Sequence, residues 1–297
     1  MRGGDVHARF PEWARPATRR AGAVARRVQH AVRSALASVH PRPLFVLGNQ
    51  KSGTSAIAAL LAKSCGLTVS LDMLQEIMRP TFHRVVLGER SFDAYVRANR
   101  WEFSHDVVKE PNLTLLDAQI AERFPDSPRI FVLRDPRDNI RSLLNSLAIP
   151  GDLETIGPQH RGLVNPGWEL VLDGRWLGIE GDHWVEQLAG RWVHCANVYR
   201  ASPESFVLCR YEDFVADKLG ELRRLATAVG QEVVADVSAE LDVAFQPSGD
   251  RNVGWLEFFG EENLARIERV CGETRAALGY PPALPPGSPP GSPAPAV

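Results

Sequence analysis

A lysine, a glycine and three hydroxyl residues follow a short apolar run near the start of the chain. Residues 43–48 (PLFVLG) predict a buried strand, and NQKSGTS connects it to a helical pattern that begins near Thr54. Such a turn gathers backbone N–H groups at the N-terminus of a helix, where an anion is favoured by both donors and dipole. The candidate anion ligands are Lys51, Ser52, Gly53, Thr54 and Ser55.

The spacing of Gly48 and Gly53 is that of the nucleoside triphosphate loop GxxxxGK[ST]. In that loop a lysine follows the second glycine, whereas here Thr54 follows it and Lys51 precedes it. A lysine so placed can contact a phosphate but does not reach the same oxygens, and no clear acid for Mg²⁺ accompanies it. A P-loop nucleotide-dependent kinase is therefore the alternative enzyme class, and a turn that only caps a helix is the non-functional interpretation.

A second candidate anion site lies at the end of the run RIFVLR (129–134). Asp135 and Pro136 form a turn into a helical pattern, with proline in the first turn, where its missing N–H costs nothing. Ser142 is about two turns into that helix. An arginine at the strand end and a hydroxyl on the next helix can converge on one phosphate. The alternative for Arg134 is a surface ion pair with Asp135 or Asp138.

The elements that must position these residues alternate along the chain. Short β-branched runs predict strands, and longer amphipathic stretches between them predict helices. The strands are expected at 43–48, 67–71, 105–109, 129–134 and 205–210, and the helices at 54–65, 91–101, 112–123, 136–147, 184–201, 217–229 and 261–278. This alternation predicts a three-layer α/β fold, with a central, mainly parallel sheet of about five strands flanked by helices, similar to that of P-loop nucleoside triphosphatases.

Composition divides the 297-residue chain into three parts. Residues 1–42 contain nine arginines and two acids and are expected to form a basic amphipathic extension, residues 43–280 one domain, and the proline-rich residues 281–297 a disordered tail. Within 17–39, valines and a leucine recur at helical spacing, so weak contact with an anionic membrane is one interpretation. Packing on the body of the protein, solvation, or an organellar transit peptide are the alternatives.

Charge and cysteine content limit the function classes. A net charge of −2 over the whole chain argues against a nucleic-acid binder held by bulk charge. The four cysteines are far apart and form no CxxC pair, so we expect neither a disulfide framework nor a structural zinc ion. Because no apolar run could cross a bilayer and no secretory signal is recognisable, we expect a cytoplasmic protein.

Three motifs together resemble sulfotransferases that use 3′-phosphoadenosine 5′-phosphosulfate (PAPS). They are KSGTS after an apolar strand, the spaced pair Arg134 and Ser142, and SFVLCRYEDF (205–214). The resemblance covers residues 43–280 and implies that the loop cradles the 5′-phosphosulfate, that the pair holds the 3′-phosphate, and that Tyr211 lies against the adenine. Near the C-terminus the match is looser, and Arg251 is a candidate third ligand of the 3′-phosphate. Ala56 stands where cytosolic members have a tryptophan that stacks on adenine.

The resemblance also implies roles in sulfuryl transfer. Lys51 suits the bridging oxygen of the leaving phosphate, and Lys109 in VVKEPNLTL suits the transferring sulfonate, as in the tyrosyl-protein and carbohydrate branches. Pro111 occupies the place of the catalytic histidine of cytosolic members, so another group must act as the general base. No metal is expected to be required.

Two acids are the candidates for the general base. Asp72 directly follows the strand 67–71, and Glu76 is one helical turn further along. Asp72 also fits a helix cap, so Glu76 is slightly preferred, with His83 in reserve. His105 begins a strand far from the relevant sheet edge and is expected to be structural.

The acceptor must be bound by the variable segment 148–192, which is rich in tryptophan. Trp168, Trp176, Trp184 and Trp192 either stack on a sugar or phenol or anchor the core. The sequence therefore predicts transfer from PAPS to an acceptor hydroxyl on a glycan or a small molecule, with a carbohydrate favoured and phenols, lipids and peptides open. The product nucleotide would be 3′-phosphoadenosine 5′-phosphate (PAP). A non-catalytic module that binds PAPS or PAP is the remaining alternative.

Overall fold

The computed structural model describes residues 29–162, 164–243 and 253–281. Five strands form one sheet: β1 (Leu44–Gly48), β2 (Val69–Leu71), β3 (Val107–Lys109), β4 (Arg129–Leu133) and β5 (Val207–Arg210). Each lies within a predicted strand, and the two predicted at 67–71 and 105–109 are shortened to three residues.

The helices of the domain alternate with these strands. They are α1 (Thr54–Ser64), α2 (Leu74–Met78), α3 (Phe82–Val86), α4 (Phe92–Ala98), α5 (Asp117–Arg123), α6 (Pro136–Leu147), α7 (Pro158–Arg161), α8 (Pro166–Leu172), α9 (Trp184–Ala201), α10 (Tyr211–Ala216), α11 (Lys218–Ala228) and α12 (Trp255–Ala277). Short 3₁₀ turns complete the connections at Glu102–Ser104, Pro111–Leu116, Arg175–Leu177, Pro203–Ser205 and Ser238–Glu240.

The strand order is β2-β3-β1-β4-β5, and every adjacent pair is parallel. The predicted α/β fold with a central parallel sheet is therefore confirmed. The chain runs from β1 outward to β2, returns to β3, and then crosses to β4 on the other side of β1. In such sheets ligands bind beyond the carboxyl ends of the strands at this change of direction.

Alternate residues of the strands face two separate apolar cores. Leu44 and Val46 point to the side covered by α1 and α11, whereas Phe45 and Leu47 point to the side covered by α6, α9 and α12. All four side chains are buried. Burial on both faces explains why these strands are continuous apolar runs in the sequence. The three layers hold the carboxyl edge of the sheet rigidly.

Two predicted helices differ from the observed elements. The segment predicted at 112–123 begins as a 3₁₀ turn, because the Glu110 carboxylate accepts the N–H of Asn112 at 3.0 Å and caps this tight start. The last helix begins at Trp255, earlier than predicted, and is interrupted at Gly260, whose φ of 68° and ψ of 168° suit only glycine.

The described part of the N-terminal extension is helical over residues 29–36 and packs on the domain. His30 contacts the Glu102 carboxylate at 2.9 Å, and the Arg33 guanidinium lies over Trp101. The predicted apolar stripe, formed by Val24, Val28, Val32, Leu36 and Val39, does not share one environment: Val32 and Leu36 are exposed, whereas Val39 is partly buried against the core. Val24 and Val28 lie outside the described residues, as do Arg251 and residues 282–297. In the described ranges, no helix has the length and apolar character needed to cross a membrane.

Candidate active site

The loop after β1 is built from backbone conformations that glycine favours. Gly48 has φ 141°, and a Cβ there would lie 2.4 Å from the Val132 carbonyl oxygen on the neighbouring strand. Gly53 has φ 96°, and a Cβ there would lie 2.3 Å from the ring of Tyr211. Lys51 also has positive φ, at 67°. The loop therefore makes a tight turn with Tyr211 directly against it.

Asn139, on α6, ties this loop together. Its Nδ2 donates to the Gln50 carbonyl at 2.8 Å and to the Ser52 hydroxyl at 2.9 Å, and its Oδ1 accepts from the Asn49 amide at 2.9 Å. All four residues are buried. The sequence carried no signal for this role, because a single asparagine on a helix is not distinguishable from a surface residue. Helix α6 therefore fixes the loop through Asn139. It also follows Arg134 directly in the chain.

Arg134 and Tyr211 meet beside the loop because of strand register. Leu133 of β4 pairs with Arg210 of β5, so the next residue of each strand occupies the same position at the sheet edge. The Arg134 guanidinium carbon lies 4.3 Å from the centroid of the Tyr211 ring, and its Nη1 donates to the Lys51 carbonyl at 2.9 Å. The predicted neighbourhood of loop, arginine and tyrosine is thus present.

Asp135 and Asp138, the alternative ion-pair partners of Arg134, are paired with other arginines. Asp135 forms a two-pronged ion pair with Arg137, at 2.8 and 2.5 Å, and Asp138 pairs with Arg141 at 2.7 Å. The acids that follow Arg134 are therefore engaged by the arginines of α6. The Arg134 guanidinium contacts the loop and the tyrosine.

Lys109 and Asp72 lie at the corresponding edge of β3 and β2. Leu71 pairs with Lys109 across the two strands, so Asp72 stands one position beyond it. The Lys109 ammonium donates to the Asp72 carboxylate, and Lys109 is 2% exposed. Asp72 is partly exposed and has a positive φ of 60°. The lysine is therefore buried, and the carboxylate is accessible.

Electrostatics shows that Lys51 belongs to the same cluster. The pKa of the Lys51 ammonium is lowered from 10.5 to about 8, mainly by burial and then by the positive charges of Arg134 and Lys109, while Asp72 opposes them. Lys51 is therefore near enough to Arg134, Lys109 and Asp72 for their charges to act on it. The buried Glu110 carboxyl is coupled to Lys109 and Asp72 in the same way. The three cations at these strand ends outnumber the two acids, which is suited to an anion.

The preference for Glu76 over Asp72 does not agree with where the structure places them. Glu76 is buried, and its carboxylate accepts from the N–H of Thr81 at 2.5 Å, the Thr81 hydroxyl at 2.7 Å and the N–H of Phe82 at 2.9 Å. It thus caps α3. Asp72 does not cap α2, which begins after Met73 without a side-chain cap. The capping role expected of Asp72 is therefore held by Glu76, because a capping pattern in the sequence fits either acid.

The remaining candidates lie further from the cluster or have a structural partner. Ser142 is half-buried on α6, six residues after its start, which is about 9 Å along the helix. His83 packs edge-on against Trp176, and its pKa is lowered by burial. The His105 ring contacts the Trp101 carbonyl at 2.8 Å and packs edge-on against that tryptophan, in agreement with a structural role.

The tryptophans of 148–192 divide into two kinds. Trp184 and Trp192 are buried and donate to carbonyl oxygens of Leu153 and Arg134, so they anchor the core. Trp168 and Trp176 are only partly buried. In the part of the chain that the structure describes, no three His, Cys, Asp or Glu side chains cluster as metal ligands would.

Comparison with solved structures finds sulfotransferases. Sulfotransferase STF9 from Mycobacterium avium matches with a TM-score of 0.50 and 15% identity, over 87% of this chain and 82% of that one. Sulfotransferase STF1 from Mycobacterium tuberculosis matches with a TM-score of 0.47 and 17% identity, over 86% of this chain and 82% of that one. The sulfotransferase from Alicyclobacillus acidocaldarius matches with a TM-score of 0.48 and 17% identity, over 81% of this chain and 97% of that one. No protein-family model and no curated protein matches the chain.

The likeness to the Mycobacterium avium enzyme shows that the chain has the sulfotransferase fold. This agrees with the resemblance drawn from the loop and from the arginine at the end of β4. At this level of identity the likeness extends to the fold alone, so the roles of individual residues are proposals.

Proposed function

We propose that the protein is a sulfotransferase that moves a sulfuryl group from PAPS to an acceptor hydroxyl. The observation that carries this proposal is the meeting of three cations at the carboxyl edge of the sheet: Arg134 contacts the Lys51 carbonyl, Lys109 contacts Asp72, and the charges of Arg134 and Lys109 act on Lys51. The donor carries anionic groups at both its 5′ and 3′ positions. A site with excess positive charge beside a glycine-bearing loop fits such a ligand.

The residues present fit the donor part by part. Backbone N–H groups of the loop, with the side chains of Lys51, Ser52, Thr54 and Ser55, would hold the 5′-phosphosulfate, and Gly53 would allow its close approach. Arg134 and Ser142 would hold the 3′-phosphate, and Tyr211, which lies against both the loop and Arg134, would contact the adenine. Arg251 remains a candidate ligand of the 3′-phosphate that lies outside the described residues.

The reaction would be an in-line displacement at sulfur. The acceptor oxygen forms a bond to sulfur, the bond from sulfur to the bridging phosphate oxygen breaks, and PAP leaves with that electron pair. Negative charge develops on the bridging oxygen and is spread over the sulfonate oxygens. Lys51 would stabilise the charge on the bridging oxygen, and Lys109 would stabilise the charge on the sulfonate oxygens, as preorganised cations do in a water-poor site.

Asp72 is the residue that we propose as the general base. Its carboxylate is accessible and lies against Lys109, whereas the Glu76 carboxylate is enclosed by three hydrogen bonds from residues 81 and 82. Asp72 would take the proton from the acceptor hydroxyl as the new bond forms. The left-handed backbone at Asp72 turns the chain here, so the carboxylate follows the strand end directly.

A carbohydrate hydroxyl is the acceptor that we propose. Helix α8, within the tryptophan-rich segment, packs against α2, since a Cβ at Gly167 would lie 2.8 Å from the Ile77 carbonyl oxygen. The segment thus lies beside the residues that follow Asp72. Its partly buried Trp168 and Trp176 offer ring edges or faces of the kind that contact sugars.

Ligand choice and group transfer test the proposal. Thermal-shift measurements should show stabilisation by PAP and little by ADP, because only PAP carries a 3′-phosphate. Radiolabelled PAPS incubated with pooled glycans and phenols should label a glycan. Equal stabilisation by ADP and PAP would favour the kinase interpretation, and PAP binding without transfer to any pool would favour a non-catalytic binding module.

A further inference from the structure

One buried hydrogen-bond network contains a chain neighbour of each of the three proposed catalytic residues. Gln50 precedes Lys51, Glu110 follows Lys109, and Met73 follows Asp72. The side chains of Gln50 and Glu110 are 6% and 3% exposed. These residues come from three different strand ends. A network that joins them fixes the positions of the catalytic residues relative to one another.

Glu110 forms the part of the network between β3 and the turn after β2. One carboxylate oxygen accepts from the N–H of Met73 at 3.0 Å. The other accepts from the backbone N–H of Asn112 at 3.0 Å and from its side-chain amide at 2.9 Å. Asn112 in turn accepts through Oδ1 from the side-chain amide of Gln50 at 2.7 Å. The turn after β2, the end of β3 and the loop after β1 are thus linked in series.

Arg191 closes the network from helix α9. Its Nε and one Nη donate to the side-chain oxygen of Gln50 at 3.2 and 3.1 Å, and the same Nη donates to the side-chain oxygen of Asn112 at 2.9 Å. Arg191 is 0% exposed. Its planar fork holds two acceptors at once, which a lysine cannot do in the same geometry.

The buried charge of Arg191 is costly and therefore calls for an explanation. Within the described residues, no carboxylate lies within ion-pair distance of its guanidinium, and Glu110 acts on it only from further away. Burial lowers its pKa, and the nearby Cys195 thiol and Glu110 carboxyl oppose this change. A neutral side chain that filled the same space would avoid this cost. The arginine offsets this cost by fixing the positions of the Gln50 and Asn112 side chains through its hydrogen bonds.

We propose that Arg191 is a positioning residue that sets the separation of Lys51, Lys109 and Asp72 by holding Gln50 and Asn112. In this role it acts through the two side chains that it holds. Its effect on the reaction rests on the function proposed above, whereas its effect on the geometry of Lys51 does not. This difference allows the two proposals to be tested separately.

The titration of Lys51 reports the geometry directly. The pKa of Lys51 is lowered by its own burial and by Arg134 and Lys109, and Arg191 is not among these causes. A loop that loses its anchor should expose Lys51 and move it away from the other cations. Its pKa should then rise from about 8 toward the ordinary value of 10.5. A residue that contributes only to overall stability would leave this pKa unchanged.

The experiment compares Arg191→Met with Arg129→Met in the full-length protein. Arg129 is a largely buried arginine that pairs with Asp117 at the opposite edge of the sheet, so it controls for the loss of a buried guanidinium. Lys51 is titrated by NMR of reductively ¹³C-methylated protein and assigned with a Lys51→Arg variant. Steady-state kinetics with PAPS is measured on the same preparations.

In Arg191→Met we expect the Lys51 pKa to rise by about one unit or more and kcat to fall on the order of 10²-fold, as for misplacement of a catalytic group. Arg129→Met should change neither, although both variants lose stability. If Arg191→Met does not fold, Gln50→Leu removes the same anchor from the loop side and should give the same shift in the Lys51 pKa.

A folded Arg191→Met protein with an unchanged Lys51 pKa and a kcat like that of Arg129→Met would overturn the positioning role. Wild-type protein without transfer activity would refute the proposed function, and the NMR comparison would still decide the role of Arg191.

Discussion

Asp72 and Lys109 are joined twice, once through backbone and once through side chains. The N–H of Asp72 donates to the Lys109 carbonyl at 3.0 Å, and the Lys109 ammonium donates to the Asp72 carboxylate. The backbone bond continues the ladder between β2 and β3 by one step. The proposed base and the proposed sulfonate-binding cation are therefore held side by side without any flexible connection between them.

Exchange of Asp72 for asparagine should impair catalysis with little effect on folding. Asparagine tolerates the left-handed conformation at this position, so the change removes the base without adding backbone strain. We expect kcat to fall by roughly 10²–10⁴-fold, as for loss of a general base. Steady-state kinetics with PAPS and the acceptor measures this loss.

Glu76→Gln is the matched control for Asp72→Asn. It should retain kcat but lose about 1–3 kcal/mol of stability, because a side-chain amide cannot accept all three hydrogen bonds that the buried carboxylate receives. Urea unfolding measures this loss. If the Asp72→Asn variant keeps full turnover while the Glu76→Gln variant is stable but inactive, Glu76 and not Asp72 is the general base.

Arg134→Ala should remove discrimination for the 3′-phosphate. In the wild type, PAP should bind more tightly than adenosine 5′-phosphate, and the variant should lose roughly 2–5 kcal/mol of this difference. Comparison of the two ligands by calorimetry cancels the indirect effects on Lys51 and Tyr211, which Arg134 also contacts. Equal affinities for both ligands in the wild type would disprove the assignment.

Binding of PAP should depend on pH through Lys51. The pKa of this lysine is about 8 in the free protein, and a bound anion raises it, so the complex holds more protons than the free protein. Affinity should therefore be greatest below pH 8 and decline as the pH rises through that value, by up to about tenfold per unit. Lys51→Arg stays charged and should show no such decline. Calorimetry in buffers of different ionisation enthalpy would also detect the proton uptake, and a flat profile in the wild type would contradict the prediction.

Gly53→Ala should disrupt the loop through contact with Tyr211. An added Cβ would lie 2.3 Å from the tyrosine ring, and φ at this position is 96°. Gly88 provides a control, since its φ is 72° but no atom lies within 4 Å of an added Cβ. Both alanine variants should lose about 1–2 kcal/mol of stability from backbone strain. Only Gly53→Ala should also weaken PAP binding by an order of magnitude or more, and equal PAP affinities in the two variants would contradict the proposed contact of the loop with the donor.

The outward face of the N-terminal helix allows a test of the predicted membrane contact. Val32 and Leu36 are exposed, and the extension up to residue 42 carries nine arginines. We expect the protein to float with vesicles that contain anionic lipids and to do so less after Val32→Glu and Leu36→Glu. Flotation that is the same with and without residues 1–42 would exclude the extension as a membrane anchor.

The strand ends were predictable from the sequence because each apolar run stops at a charged or turn residue. Parallel strands bring such ends to one edge, so the sequence alone places Lys109 and Arg134 there. The adjacency of Arg134 and Tyr211 follows from register, which the sequence does not specify. Asn139 and Arg191 could not be found, because their partners in the loop lie about 90 and 140 positions away in the chain. Which of Asp72 and Glu76 serves as a cap depends on the path of the chain between α2 and α3, which the sequence pattern does not specify.

Helix α9 holds the two proposed anion-binding positions through adjacent residues. Arg191 holds the loop through Gln50, and Trp192 donates to the carbonyl of Arg134 at 2.9 Å. The helix has 18 residues and is about 27 Å long, and two attachments one residue apart on such a rod must move together. The loop and the backbone of Arg134 are therefore attached to one rigid element and shift together. For a donor held at both places, recognition would depend on the distance between its two anionic groups as well as on their charge.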